Sequence, residues 1–300
     1  MTTLRVLAPG LRSTIQDAGR FGHLRDGVPP SGPADALSFE AAQRLVGNGA
    51  SDAAIEIVGL PFRCALDAPR LVAATGPNVR VRARGSVAGS TSVFARAGEE
   101  IAVEGDARFA YLAVSGGFAL DERLGSRSTY LAAGIGPLPR PLAAGDELTV
   151  GAARRSADHA GGRIVPRARD GRIRVMRGPH ADRFTDAGAF FAATYRVSER
   201  SDRMGTRLEG PRLETTGEEI LSIGVLAGAV QVPHGGEPIA LLADHQTTGG
   251  YPIVAVVIRA DVGLLAQAWP GEEVSFYEVR VDEAVRAIRD ERRRLEAMVR

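Results

Sequence analysis

Ile239-Ala240-Leu241-Leu242 and Ile253-Val254-Ala255-Val256-Val257-Ile258 are short apolar runs, and between them lies Ala243-Asp244-His245-Gln246-Thr247-Thr248-Gly249-Gly250-Tyr251-Pro252. Apolar runs of this length, rich in β-branched residues and bounded by Gly and Pro, read as strands. The joining segment carries more side-chain donors and acceptors than a turn requires. The same alternation recurs at Ile55 to Val58, Leu71 to Ala74, Tyr111 to Val114 and Arg172 to Met176. With 36 Gly and 17 Pro interrupting the chain, helical patterns have little room. Many short strands and few helices predict a mainly β fold of barrels or sandwiches, not a parallel α/β sheet.

The expected helices are few. Ser31-Gly32-Pro33 leads into one from Asp35 to Val46, with Leu37, Ala41 and Leu45 on one side, Asp35 at its start and Gly47-Asn48 as its stop. A shorter pattern spans Asp182 to Phe191. Asp261 is placed as the cap of Val262 to Trp269. The tail from Val281 to Val299 sets Val281, Val285, Ile288 and Leu295 on one stripe, with Asp282–Arg286 and Asp290–Arg294 at helical pair spacing. Gly151 to Gly171 is poor in apolar residues and reads as a linker or wide loop. Two β domains follow, 1–155 and 166–280, with a C-terminal helix over 281–300.

Composition excludes several classes. The 300 residues carry 37 cationic and 36 acidic side chains, a net charge of +1, without the basic footprint of a nucleic-acid binder. Every one of those cations is Arg; the sequence has no Lys. That removes Schiff-base catalysis, a P-loop and covalent carriage of biotin or lipoate. Cys64 is the only cysteine, so neither an internal disulfide nor a Cys zinc cage is available, which suits a reducing compartment. Ile253 to Ile258 falls far short of the about 20 residues that cross a bilayer, and Met1-Thr2-Thr3-Leu4-Arg5 lacks the apolar core of a signal peptide. We expect a cytoplasmic protein, with no membrane or nucleic-acid partner. The five His residues lack metal-ligand spacing, so no metal site is expected. Gly134-Ile135-Gly136 lacks the third Gly of a dinucleotide loop, and Val114-Ser115-Gly116-Gly117 is no nucleophile elbow.

What remains are polar, Gly-bearing stretches: Thr14 to Arg20, Gly27 to Asp35, Leu124 to Tyr130, Arg177 to Phe184 with Ser201 to Gly205, and Ala243 to Pro252. Gln16-Asp17-x-x-Arg20, Leu124-Gly125-Ser126-Arg127-Ser128-Thr129, Ser201-Asp202-Arg203-Met204-Gly205 and Asp244-x-Gln246-Thr247-Thr248-Gly249-Gly250-Tyr251-Pro252 occur in one order from Leu7 to Phe276. Together they resemble the allophanate hydrolase subunit 2 family, also called the biotin-dependent carboxyltransferase family. The family includes the third subunit of bacterial ATP-hydrolysing 5-oxoprolinase and a sporulation protein that antagonises a histidine-kinase inhibitor. It is also similar to part of the carboxyltransferase region of urea carboxylase.

The resemblance implies two cyclophilin-like β-barrel domains and a first subunit of the same system as partner. It implies a subunit of an ATP-dependent 5-oxoprolinase, with a third, lactam-opening component and ATP bound by the complex. An alternative is a carboxyltransferase half-subunit that takes the carboxyl of biotin from a separate carrier. A second alternative is a non-catalytic regulator that binds a histidine-kinase inhibitor.

Opening or carboxylating an amide needs donors for a developing oxyanion and a group to manage a proton. Asp244 and Asp202 are the candidate bases or orienting groups, and His180 the candidate proton shuttle. Arg203 and Arg127 are candidate clamps for a carboxylate or phosphate. Gln246, Thr247, Thr248 and Tyr251 are candidates for substrate recognition, with Ser126, Ser128, Gln16, Asp17 and Arg20 as further binding residues. The alternatives stay open: Gln16, Asp17 and Arg20 pin a hairpin, Ser126 to Ser128 form an ion-pair corner, and Asp202-Arg203 makes a salt bridge. His23, His159 and His234 read as structural, and His245 is unassigned. The strand–loop–strand layout places His180, Asp202, Arg203, Asp244, Gln246, Thr247 and Tyr251 together at one barrel rim. On that placement Asp244→Asn leaves the fold intact.

Overall fold

A computed structural model of the chain describes residues 1–83, 85–165, 167–217 and 220–298. The chain divides into two compact units. One comprises 1–20, 31–168 and the segment from Arg292; the other comprises 21–30 and 169–291.

In the first unit the strands are β1 (Thr2–Ala8), β2 (Arg12–Gln16), β3 (Ala54–Val58), β4 (Phe62–Leu66), β5 (Arg70–Thr75), β6 (Arg80–Ala83), β7 (Ser86–Ala88), β8 (Thr91–Ala95), β9 (Glu100–Glu104), β10 (Ala110–Val114) and β11 (Glu147–Val150). They form two sheets, ordered β11-β1-β4-β9-β6-β7 and β2-β3-β10-β5-β8. Alternate residues of both sheets, among them Leu4, Val6, Ile15, Ile55, Ile57, Phe62, Val72, Ile101, Val103 and Leu112, meet in one buried core. Helix α1 (Ala36–Leu45) lies over β5 and β10. Asp35 caps it, its side chain accepting from the N–H and hydroxyl of Ser38, as the sequence predicts. The segment expected as a linker packs onto this unit. Backbone N–H groups of Arg154 and Arg155 donate to the Ser115 hydroxyl, and the Arg154 guanidinium pairs with Asp52.

The second unit closes. Strands β12 (Arg172–Arg177), β13 (Thr194–Val197), β14 (Gly205–Glu209), β16 (Ala229–Gln231), β17 (Ile239–Leu241), β19 (Ile253–Val257) and β20 (Glu273–Glu278) form a seven-stranded barrel, ordered β12-β19-β16-β17-β14-β13-β20. The parallel pair β12–β20 shuts the ring. Phe190, on the short helix α2 (Gly188–Ala192), stacks on Phe276 at 4.7 Å and lies against Tyr195, within an apolar core that includes Val175, Val197, Val230 and Val254. The short strands β15 (Ile223–Gly224) and β18 (Thr248–Gly249) pair apart from the barrel. Helix α3 (Arg259–Ala266) follows β19, and α4 (Val281–Glu296) follows β20. The mainly β expectation therefore holds, with one closed barrel and, in the other unit, two facing sheets.

Three expected helices differ in detail. Only a single-turn helix at Ala181–Arg183 and α2 occupy the span from Asp182 to Phe191. Helix α3 begins at Arg259, so Asp261 sits inside its first turn and does not cap it. Asp261 is fully buried, and it accepts from the Arg174 backbone N–H at 2.8 Å, Nε at 3.0 Å and Nη2 at 2.6 Å. That tertiary ion pair overrides the local capping signal. On α4, Ala284, Ala287 and Leu295 are buried, whereas Val281 and Val285 face outward, so the apolar stripe is rotated from the expected one. The Asp282–Arg286 pair forms at 2.9 Å; Val299 lies outside the described residues.

Because Asp261 is the buried partner of a cation that is one-fifth exposed, removing its charge strands Arg174 beneath α3. Asp261→Asn is expected to lower unfolding stability by about 3 kcal/mol in chemical denaturation. A loss under about 1 kcal/mol would mean that the pair contributes no more than a surface one.

Candidate functional site

Register decides how the candidate residues of the barrel unit are grouped. Gly205 pairs with Leu241, and the Leu242 N–H donates to Met204 O, so β17 ends beside the start of β14. Gln231 pairs with both Ile239 and Ile253, so β19 begins at the opposite end of the barrel. The connection Leu242 to Pro252 must therefore travel the length of the barrel along its outside, at about 3.3 Å per extended residue. Its β18 pairs with β15 on the way. Val225, Ala229, Leu241 and Ile253, with Ile223, Ile239 and Val256, form the apolar layer under this ribbon. Val230 points the other way, into the barrel core.

The expected single rim is thereby corrected. Arg203 and Asp244 lie at the Leu241 end, and His180 and Tyr251 lie at the Ile253 end, with Gln246, Thr247 and Thr248 between. Arg203 and Asp244 form a bidentate ion pair, Nε to Oδ2 at 2.8 Å and Nη2 to Oδ1 at 3.0 Å, with side chains 6% and 7% exposed. The Asp244 N–H also donates to Arg203 O at 2.9 Å. Both oxygens of Asp244 are thus held by one guanidinium, which makes it the anchor of the crossing segment. Asp202 is exposed, and its Oδ1 accepts from the N–H groups of Met204 at 2.8 Å and Gly205 at 3.3 Å, closing the turn that presents Arg203.

At the other end, Gly178 lets the chain after β12 press against β19: an added Cβ would lie 2.2 Å from Ile253 O. Half-buried His180 then accepts the Ile253 N–H on Nδ1 at 3.2 Å. Exposed Tyr251 meets the His234 ring edge-on at 6.0 Å. Between the ends, Gln246 Nε2 donates to Gln231 Oε1 at 2.8 Å, and Thr248 and Gly250 are exposed. His245 is buried, with Nδ1 2.6 Å from Gln246 O, so Nδ1 carries the proton. Desolvation holds its pKa below the usual imidazole value, against smaller opposing pulls from that hydrogen bond and from Asp244.

The remaining candidates form a separate knot in the first unit. Asp17 is buried and accepts from the Gly19 N–H at 3.0 Å, the Ser126 hydroxyl at 2.6 Å, the Ser128 hydroxyl at 2.7 Å and the Arg127 N–H at 2.6 Å. Arg20, also buried, donates to Arg123 O at 3.0 Å and Ser128 O at 2.7 Å. Gln16 Nε2 donates to Thr14 Oγ1 at 3.0 Å and Thr129 O at 3.1 Å. The Arg127 guanidinium donates to Leu120 O, Ser51 O and Glu122. These bonds pin together two loops more than 100 residues apart in sequence, not a local hairpin, and they engage Arg127 internally.

A model of the carboxyltransferase domain, subdomains A and B, matches residues 26–278. This chain belongs to that family. The carboxyltransferase domain is 36% identical to the third, or C, subunit of 5-oxoprolinase from Escherichia coli K12 over 302 residues, covering 98% of this chain and 97% of that protein. Among solved structures it superposes on Kluyveromyces lactis urea amidolyase with a TM-score of 0.89 at 27% identity, covering 98% of this chain. It superposes on the protein TTHA0988 with a TM-score of 0.81 at 35% identity, covering 92%. The chain spans 20% of the amidolyase and 55% of TTHA0988, so in both it corresponds to part of a longer polypeptide.

Sequence reasoning missed one residue that this carboxyltransferase domain places against the crossing segment. Gln231 touches Gln246, and its only sequence signal is an amide inside the apolar run Ala229-Val230-Gln231-Val232.

Two outcomes follow from this geometry. Contrary to the fold-neutral expectation, Asp244→Asn is expected to lower stability by about 3 kcal/mol, because it leaves Arg203 buried with half its partner. Denaturant unfolding measures this, and an unchanged midpoint would contradict an anchoring role. For His245 the unfolded chain, at about 6.5, binds protons more readily than the folded one. Its neutral form therefore supports the fold above about pH 6.5, and that support is lost as pH falls through the lowered folded value. Thermal midpoints between pH 7.5 and 5 should fall more for wild type than for His245→Gln; parallel curves would refute it.

Proposed function

We propose that this chain is a subunit of an ATP-dependent 5-oxoprolinase, which opens the lactam of 5-oxoproline to glutamate while ATP becomes ADP and phosphate. The observation that carries this reading is the end-to-end likeness to the third subunit of the Escherichia coli 5-oxoprolinase, with nearly all of both chains aligned. The partners are a first subunit of the same system and a further lactam-opening component.

The residues of this chain favour a recognition role over a complete catalytic set. Its two expected anion clamps are engaged, Arg203 by Asp244 and Arg127 by backbone carbonyls and Glu122. With no Lys in the sequence a P-loop is ruled out, and ATP is assigned to the assembled complex. What this chain offers a lactam is the crossing segment: Gln246, Thr247 and Thr248 for the amide group, Tyr251 as an aromatic edge, and His180 as the group that moves a proton. Asp202 is an exposed carboxylate at the Leu241 end, apart from His180 and Tyr251.

Carboxyl transfer from biotin to an amide is the second reading, supported by the 0.89 TM-score to urea amidolyase. Assembly separates the two. The isolated chain should not hydrolyse ATP, and combining it with the other components should give ATPase that depends on 5-oxoproline. An assembly inert to 5-oxoproline that carboxylates urea when a biotin carboxylase and carrier are added would select the second reading. Lactam-dependent turnover by the isolated chain would overturn both.

A further inference from the structure

We propose that Gln231 is a positioning residue for amide recognition, acting by fixing the rotamer of Gln246; this rests on the assignment of an amide substrate to the crossing segment. Gln231 closes the central strand β16 and is 2% exposed on the outer face of the barrel. A polar amide at that depth beside an apolar layer carries a desolvation cost unless it is bonded. Gln231 Oε1 accepts from Gln246 Nε2 at 2.8 Å, and its own Nε2 is buried without a partner among the described residues. That unpartnered end lies under the ribbon, where a Cβ at Gly249 would stand 2.5 Å from it. Any side chain at 249 would displace the Gln231 amide end.

The consequence falls on Gln246. Its donor end is directed inward to Gln231, so its carbonyl end is the one presented on the half-exposed side, beside Thr247 and Thr248. A carbonyl oxygen there accepts the N–H of a lactam or a urea and rejects an ester or a lactone, which has no such donor. Without Gln231 the Gln246 amide is free to rotate and to present either end.

The test compares Gln231→Met, Gln246→Met and the double variant in the assembled complex, with 5-oxoproline as substrate and thermal midpoints read on the same samples. Each single change is expected to raise KM about fivefold, the weight of one neutral hydrogen bond, with kcat within about twofold. The double variant should be no worse than Gln246→Met alone, since Gln231 acts through it. Gln231→Leu removes the same bond with another apolar side chain and is expected to give the same rise in KM, which guards against a Met variant that fails to fold. An unchanged KM in Gln231→Met, additive KM effects, or a loss confined to kcat would overturn the inference. A wild-type complex inert to 5-oxoproline would sink the oxoprolinase reading instead; the same variants assayed with urea then decide Gln231, with the same outcomes.

Discussion

The barrel unit is governed by one topological constraint: β17 ends at one end of the barrel and β19 starts at the other. An ordinary hairpin loop cannot join them, so the polar and glycine-rich residues from Ala243 to Pro252 cross the outside of a closed sheet. Such a crossing has to be fastened. The Arg203–Asp244 pair fastens its start, the β15–β18 ribbon and its apolar layer hold the middle, and Pro252 O accepts from Val232 N–H at its end. Fastened in this way, Thr247 to Tyr251 form a half-exposed to exposed edge held at both ends, the kind of support on which recognition groups hold their geometry.

The first unit uses a carboxylate differently. Asp17 accepts four hydrogen bonds from two hydroxyls and two backbone N–H groups, so its charge is spent on joining the loop after β2 to the Ser126–Ser128 turn. A second buried carboxylate, Glu56, accepts from the Tyr111 hydroxyl and the Ala34 N–H, and tethers the segment that leads into α1. Burial together with that carboxylate pushes the Tyr111 phenol well above its usual range, so it remains a donor at any pH the fold meets. Polar density in this unit therefore builds loop architecture.

Strand grammar was the legible part. The apolar runs bounded by Gly and Pro correspond to β3, β5, β10, β12, β17 and β19, and Asp35 marks the start of α1 as its side chain requires. Pairing order was not legible, because strand contacts depend on residues far apart in sequence. Placing Asp244 and Tyr251 at one rim assumed a hairpin, which short polar loops usually make, while the register puts them at opposite ends. Asp261 misled for a related reason: a local capping pattern was outbid by Arg174, 87 residues away. Gln231 was invisible because an isolated amide in a strand carries no motif.

The absence of Lys ties these observations together. Every cationic side chain here apart from histidine is a planar guanidinium, a group able to dock on a carboxylate or carbonyl through two or more fixed donors. Where such a group is buried it becomes a clamp with little freedom to let go, as at Arg20 and Arg203. Cationic chemistry in the interior is thereby committed to architecture. The groups left to face a small substrate are neutral amides and hydroxyls, one half-buried imidazole and an exposed carboxylate. Such groups bind and orient an amide better than they activate it, which is the division of labour the proposed function requires, with the energy of the reaction entering through the other proteins of the complex.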